Sequence, residues 1–259
     1  MRGIVRGTPE PIESQFNLSY ATILNLYAKT GEEIFRVAEQ NLSAFQAENK
    51  RKKSRLNKNY RSQVKQLRNR LRFLQKAGYL SGKTLTEKGR VAARINGYEV
   101  QIAELYAAGI LYELSPEQLC VILSSLTYSP RRKDSSKYLK DPATRKQIKK
   151  TKKLMRRLIR EEAGFNIADP VRPPDFRIDT PAMLWARGED LETVEKNTRI
   201  SSGDLVRTFR MTVQLIRQII ELPDIDAAFR EAAVAALRKY KRDIVDAEAQ
   251  LRKGIVETP

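Results

Sequence analysis

Apolar residues recur at intervals of three and four over most of this chain, the spacing that puts them on one face of an α-helix. In VKQLRNRLRFLQK the recurring positions are Val64, Leu67, Leu71 and Leu74, with Lys and Arg between them. Ser19 is placed to cap a helix whose inward stripe is Ile23, Leu24 and Tyr27. GEEIFRVAEQNLSAFQ reads as a further amphipathic helix with Ile34, Phe35, Ala38, Leu42 and Phe45 inward. A helix is predicted over 99–111, on Ile102, Leu105, Tyr106 and Ile110. The next opens at Ser115-Pro116-Glu117-Gln118, a capping box with Pro at the first helical position, and buries Leu119, Ile122, Leu123 and Leu126. Residues 143–163 form another, with Ile148, Leu154, Met155, Leu158 and Ile159 docked and the other side charged. Residues 205–221 follow a Ser201-Ser202-Gly203-Asp204 cap, and a last helix is predicted over 226–252 with Ala228, Ala232, Ala235, Ala236, Tyr240 and Val245 as its docking face.

Between these helices the punctuation is Gly and Pro. Residues 1–12 are read as a flexible segment, and DPVRPPDFRIDTP as an extended crossing loop. AMLWAR holds the single Trp, whose apolar neighbours make Trp185 a core anchor rather than a base-stacking platform. Ala77 to Thr84, AGYLSGKT, spells a loose Walker A phosphate loop. Such a loop needs a buried strand before it and a helix opening at the Lys. Here a helical pattern precedes it, and the next helix starts at its cap, Thr86, too late to cradle a phosphate. Helix, short hairpin with Gly82 at its tip and second helix describe the end of a winged helix. The fold class expected is mainly α: a winged-helix domain, then a multi-helix bundle, with little β beyond the wing hairpin.

Composition adds a partner. The chain has 49 Lys and Arg against 31 Asp and Glu in 259 residues, a formal charge of +18 and a pI near 10.0. That balance points to a polyanion, nucleic acid first. With no His and one Cys, zinc sites, Cys-His and Ser-His-Asp nucleophiles and haem attachment are excluded. Cys120, among Leu119, Val121 and Ile122, is read as a reduced core thiol. No apolar run reaches the length of a membrane span, and a cytoplasmic protein without a membrane partner is expected.

Cations concentrate in three places. ENKRKKSRLNKNYRSQVKQLRNRLR carries Lys50, Arg51, Lys52, Lys53, Arg55, Lys58, Arg61, Lys65, Arg68, Arg70 and Arg72, a phosphate-tracking stripe with Tyr60 available for stacking. RRKDSSKYLKDP, between Pro130 and Pro142, leads into a helix bearing Lys146, Lys149, Lys150, Lys152, Lys153, Arg156, Arg157 and Arg160. On the 205–221 helix, Leu205, Phe209, Val213, Ile216 and Ile220 fall in one arc, and Arg207, Arg210, Gln214 and Arg217 fall opposite. An Arg/Gln stripe suits phosphates, 2′-hydroxyls and base edges.

The same residues carry a family resemblance. LTEKGRVAARI, followed by ELYAAGILYELSPEQLCVILSSLTY, resembles the opening of the DSHCT domain. That is the C-terminal helical domain of superfamily-two DExH helicases of the Ski and exosome-cofactor type. SQFNLSYATILNLY resembles the entry into the winged helix of those enzymes, and Arg242-Asp243-Ile244-Val245 their closing RDIV motif. The resemblance implies a winged helix over 13–97, in which a short basic segment, 47–66, stands where relatives insert a long arch, and a helical bundle over 98–259. It implies that Arg207 and Arg210 lie on the helix that lines the RNA exit channel. It also implies that ATP and Mg²⁺ are handled by a motor upstream or in trans, since a DExH box needs a His and no set of phosphoryl-transfer residues is found here.

The expected function is therefore to guide single-stranded RNA, with DNA possible, past a basic helix without hydrolysing ATP. The expected binding residues are Arg207, Arg210, Gln214 and Arg217 on that helix, with Lys52, Lys53, Arg55, Arg61 and Arg68 upstream. Two other readings stand beside it. A stand-alone winged-helix regulator would prefer duplex DNA and read bases from 63–76, and an ATPase using AGYLSGKT would bind nucleotide through Lys83.

Overall fold

The computed structural model describes residues 18–31, 33–35 and 53–246, and for 53–61 the backbone alone. The expected positions Ala38, Leu42, Phe45, Lys50, Arg51 and Lys52 lie outside the described residues, as do residues 1–12 and the chain beyond Asp246. The fold is helical, with β-structure among the described residues confined to one hairpin and one isolated bridge.

Helix α1 (Tyr20–Thr30) starts where Ser19 accepts the Thr22 amide at 3.1 Å, and it buries Ile23, Leu24 and Tyr27. Ile34 is buried beyond it, with Phe35 half-buried. Helix α2 (Lys53–Lys76) buries Leu67, Leu71 and Leu74, and Phe73 as well. One of its expected surface cations is not on the surface. Arg70 is buried, its guanidinium 5.7 Å from the Tyr20 ring. There Tyr20 donates to the buried Glu162 carboxylate, whose other oxygen accepts the Val171 amide at 2.6 Å. Burial holds the Glu162 carboxyl above its ordinary range.

The hairpin pairs β1 (Leu80–Ser81) with β2 (Thr84–Leu85), and Gly82 turns its tip at φ 59°. Thr86 then caps α3 (Glu87–Arg94), accepting the Gly89 amide at 3.1 Å. The AGYLSGKT letters are thus spread over a helix end and a hairpin, with Lys83 exposed in the turn. The Gly89 amide in the first turn of the following helix is met by that helix's own cap, and no helix opens at Lys83, so these residues do not fit a phosphate cradle. Gly89 has a different task. A Cβ there would stand 2.0 Å from the Tyr79 carbonyl oxygen, so its absence lets α3 lie on the hairpin entry.

Helix α4 (Glu99–Ala107) is shorter than its periodicity predicts. Gly109, at φ 70°, ends it in the left-handed conformation that follows many helices, and Ile110–Glu113 continue as a 3-10 turn. Helix α5 (Pro116–Thr127) has the predicted capping box, with the Ser115 hydroxyl accepting the Gln118 amide and the Gln118 side chain accepting the Ser115 amide. Every residue from Leu119 to Thr127 is buried, Cys120 included. α5 is the central post of the bundle.

Around it stand α6 (Pro142–Ala163), α7 (Asp179–Ala186), α9 (Ser202–Ile220) and α10 (Ala227–Tyr240), with the short α8 (Leu191–Glu195) against α7. At the crossing of α5, α9 and α10, Ser124 meets the Tyr240 hydroxyl at 2.8 Å and Thr212 at 3.2 Å, and Thr127 meets Thr212 at 2.9 Å. Trp185 is core, as its neighbours predict. Its ring stacks on Phe209 at 5.5 Å, and its indole N–H donates to the Tyr240 carbonyl at 3.1 Å. One apolar cluster runs from Tyr20 to Val245.

The last helix departs from expectation in length and face. It ends at Tyr240, because Lys241 leaves the helical region and Asp243 sits at φ 47°; Asp243–Val245 form a 3-10 turn. Its buried positions are Phe229, Ala233, Ala236 and Tyr240, while Ala228 is exposed. The docking stripe is set by Phe229, which an alanine-based pattern passes over.

Gly89→Ala tests the close approach. Helix propensity alone would favour Ala by about 1 kcal/mol, but the collision is with backbone. Net destabilisation of about 1–3 kcal/mol is expected in urea unfolding, and a stabilised variant would refute the packing role.

Candidate nucleic-acid interface

Helix α9 carries the stripe that sequence periodicity assigns to binding. Ser201 caps it, accepting the Asp204 amide at 3.3 Å and donating to the Asp204 carboxylate at 2.7 Å. Its buried arc is Leu205, Phe209, Val213 and Ile216, widened by Asp204, Thr208, Thr212, Leu215 and Ile219. Ile220 is only half-buried. With that arc locked, Arg207 and Gln214 are exposed, and Arg210 and Arg217 are half-buried at the margin.

The four stripe residues are not equivalent. Arg210 donates to the Ile244 carbonyl and so pins the closing 3-10 turn to α9. Its guanidinium is engaged inside the protein. Arg207 projects from the first turns, its Nε 4.0 Å from Asp204. Asp204 in turn accepts from Arg131, at 2.8 Å and 3.1 Å, which ties the basic 130–142 loop to the start of the helix. The Ser201 hydroxyl, then Arg131 and Arg207, hold the Asp204 carboxyl below its usual range. The loop is further fixed by backbone pairing of Ser135 and Lys137 with Arg199 and Asn197, just ahead of α9.

Periodicity does not find Tyr98, which lies within electrostatic reach of Arg207 and of Arg172. Tyr98, at the start of α4, has its hydroxyl pKa raised by burial, against the opposing pull of Arg172 and Arg207. A half-buried aromatic thus lies within electrostatic reach of two guanidiniums. Further along, the Gln218 side chain accepts the Asn96 amide at 2.7 Å and ties the α3–α4 connection to α9. The only local signal at Tyr98 is the Asn96-Gly97 turn before it, and Arg172 sits in the crossing loop, so each reaches α9 only through the tertiary fold.

The upstream cations form a separate group. Lys53, Arg55 and Arg61 lie on α2, where only the backbone is described, and Arg68 stands 5.3 Å from the Phe35 ring. α2 packs on α1 and β1, and its Gln66 and Asn69 donate to the Asn166 carbonyl. Among the described residues no group of three or more Cys, Asp or Glu is placed to hold a metal, and no helix is long and apolar enough to cross a membrane.

A family model described as the DSHCT (NUC185) domain matches residues 82–248. An uncharacterized helicase of Schizosaccharomyces pombe is 26% identical over 190 residues, covering 71% of this chain and 18% of its own length. The ATP-dependent RNA helicase mtr4 of the same yeast is 27% identical over 196 residues, covering 71% and 17%. The exosome RNA helicase MTR4 of Homo sapiens is 26% identical over 194 residues, covering 71% and 18%. The matched region thus spans under a fifth of each of these relatives.

The geometry separates Arg207 from Arg210 experimentally. Arg207→Gln should leave stability within about 0.5 kcal/mol of the parent. Arg210→Gln, losing a charge-assisted bond to a carbonyl, should cost about 1.5–3 kcal/mol in chemical unfolding. Equal effects on stability would contradict this division.

Proposed function

We propose, because the chain belongs to the DSHCT domain family, that it is the nucleic-acid-holding part of a Ski-type RNA helicase and guides single-stranded RNA across the exposed face of α9. The observation that carries this reading is the fixed rotation of α9. Its apolar arc is buried against α5 and α10, so Arg207 and Gln214 face outward, with the half-buried Tyr98 within electrostatic reach of Arg207 and Arg172. Arg207 and Arg172 supply phosphate contacts, Gln214 both donates and accepts at a 2′-hydroxyl or base edge, and Tyr98 offers a ring for stacking. That two of the relatives are named RNA helicases supports RNA as the strand in this reading.

In this reading the chain supplies the holding and a motor outside it supplies ATP hydrolysis. Residues 13–97 serve as a winged helix that braces the bundle, and the site of action is the cytoplasm. Arg210 contributes by keeping the closing turn in place rather than by touching RNA.

The test is anisotropy with a labelled single-stranded RNA and the matching DNA strand. Arg207→Gln/Gln214→Ala should weaken RNA binding by about tenfold, with unchanged unfolding behaviour, and lower the salt slope by about one. Unchanged single-strand affinity would overturn the proposal. If binding were lost instead in Lys65→Gln/Arg68→Gln, the interaction would belong to α2 rather than to α9.

A further inference from the structure

One side of α6 is a further exposed charged surface, separate from α9. Its docked stripe is Thr144, Gln147, Ile148, Thr151, Met155, Leu158 and Glu162. The rest of the helix is largely cationic; apart from Lys146, which lies within electrostatic reach of Glu113, those cations divide into two sets. Lys150 pairs with Glu113, and Arg157 pairs with Glu104 and Glu161. Arg145 lies 4.1 Å from the Tyr138 ring and Lys152 5.0 Å from the Phe176 ring. These four have partners within the fold.

Lys149, Lys153, Arg156 and Arg160 have none among the described residues, and all four are exposed. Their spacing is four, three and four. At 100° per residue they share an arc of about 60°, and at 1.5 Å per residue the row is about 16 Å long. Like charges at these spacings repel, costing a helix about 0.2–0.5 kcal/mol per pair. Nothing in the described fold relieves that repulsion; a bound polyanion would.

We infer that this row is a second nucleic-acid surface, one that takes the phosphate backbone of a duplex without reading its sequence. The inference is independent of the role proposed for α9. It rests on what the row contains and lacks. Four cations stand on a rigid rod, and the exposed positions of α6 include no aromatic ring to stack a base and no side-chain amide to read an edge. Such a surface gains affinity by counterion release alone. That gain is about 0.9 ions per neutralised phosphate on a duplex against about 0.7 on a single strand. A bare charge row therefore favours the duplex, whereas the α9 face, with Tyr98 and Gln214, is built for unpaired nucleotides.

The experiment uses the full chain and a labelled blunt RNA duplex of about 20 base pairs, titrated at about 50 and about 200 mM salt. Lys149, Lys153, Arg156 and Arg160 are changed together to Gln, which keeps helix propensity close to that of Lys and Arg. The expected result is a duplex salt slope lower by about 3 and a loss of about tenfold or more in duplex affinity. Single-strand binding and melting temperature should stay near those of the parent. The charge-conserving Lys149→Arg/Lys153→Arg variant should retain duplex binding, which separates loss of charge from loss of fold. Undiminished duplex binding in the quadruple Gln variant would overturn the inference. So would polyglutamate of equal charge displacing the duplex as well as unlabelled duplex does, since the surface would then suit an acidic protein.

Discussion

The rotation of α9 about its own axis is the constraint on which the rest depends, and an aromatic stack sets it. Phe209 lies flat against Trp185 of α7, with ring planes 18° apart, and meets the edge of Tyr240 of α10 at 5.2 Å. Each such pair adds about 0.5–1.5 kcal/mol beyond the area it buries. Arg242 closes the stack from outside, its guanidinium 3.6 Å from the Trp185 ring and donating to the Trp185 and Glu189 carbonyls. With Phe209 held between two rings, α9 cannot turn without breaking the stack. Arg207 and Gln214 then have no direction open to them but outward.

The hydroxyl seam beneath the stack serves the same end. Ser124, Thr127, Thr208 and Thr212 are fully or almost fully buried where α5 meets α9, and each finds a partner. Small polar side chains let the helix backbones approach more closely than Leu or Ile would, and paired hydroxyls avoid the cost of burying an unsatisfied group. α5 can therefore be buried from Leu119 to Thr127 although it is not wholly apolar. This is why its neighbours are arranged around it rather than on one side.

Helix starts were legible in the chain, because a cap is a local chemical statement. Ser19, Thr86, Ser115 and Ser201 each accept the amides their positions predict. Helix ends were less so. The stops at Ala107 and Tyr240 depend on single left-handed residues, Gly109 and Asp243, and a periodic apolar pattern continues through both. The site divides along the same line. Arg207 and Gln214 share one helix, so their common face follows from 3.6-residue geometry, whereas Tyr98 and Arg172 join it from distant segments. The bond that takes up Arg210 crosses 34 residues, and no local rule anticipates it.

A charge of +18 shows that a polyanion suits the molecule, but it does not say where that partner rests. The structure narrows this by showing which cations are already engaged. Arg70 is buried beside Tyr20, Arg230 donates to the Ile220 and Leu222 carbonyls, and Arg210 and Arg242 clamp the closing turn. These guanidiniums act as fasteners, a role that fits Arg because its planar fork can meet two carbonyls or a ring face together. Once they are set aside, the remaining cations fall into groups of different chemistry. On α9, charge is mixed with an amide and lies within electrostatic reach of an aromatic ring. On α6, charge stands alone along a straight rod, which offers attraction without discrimination. In the guiding role proposed above the two would be complementary, one surface holding the strand close and the other registering it, and their separation on two helices lets each be changed without loosening the core they share.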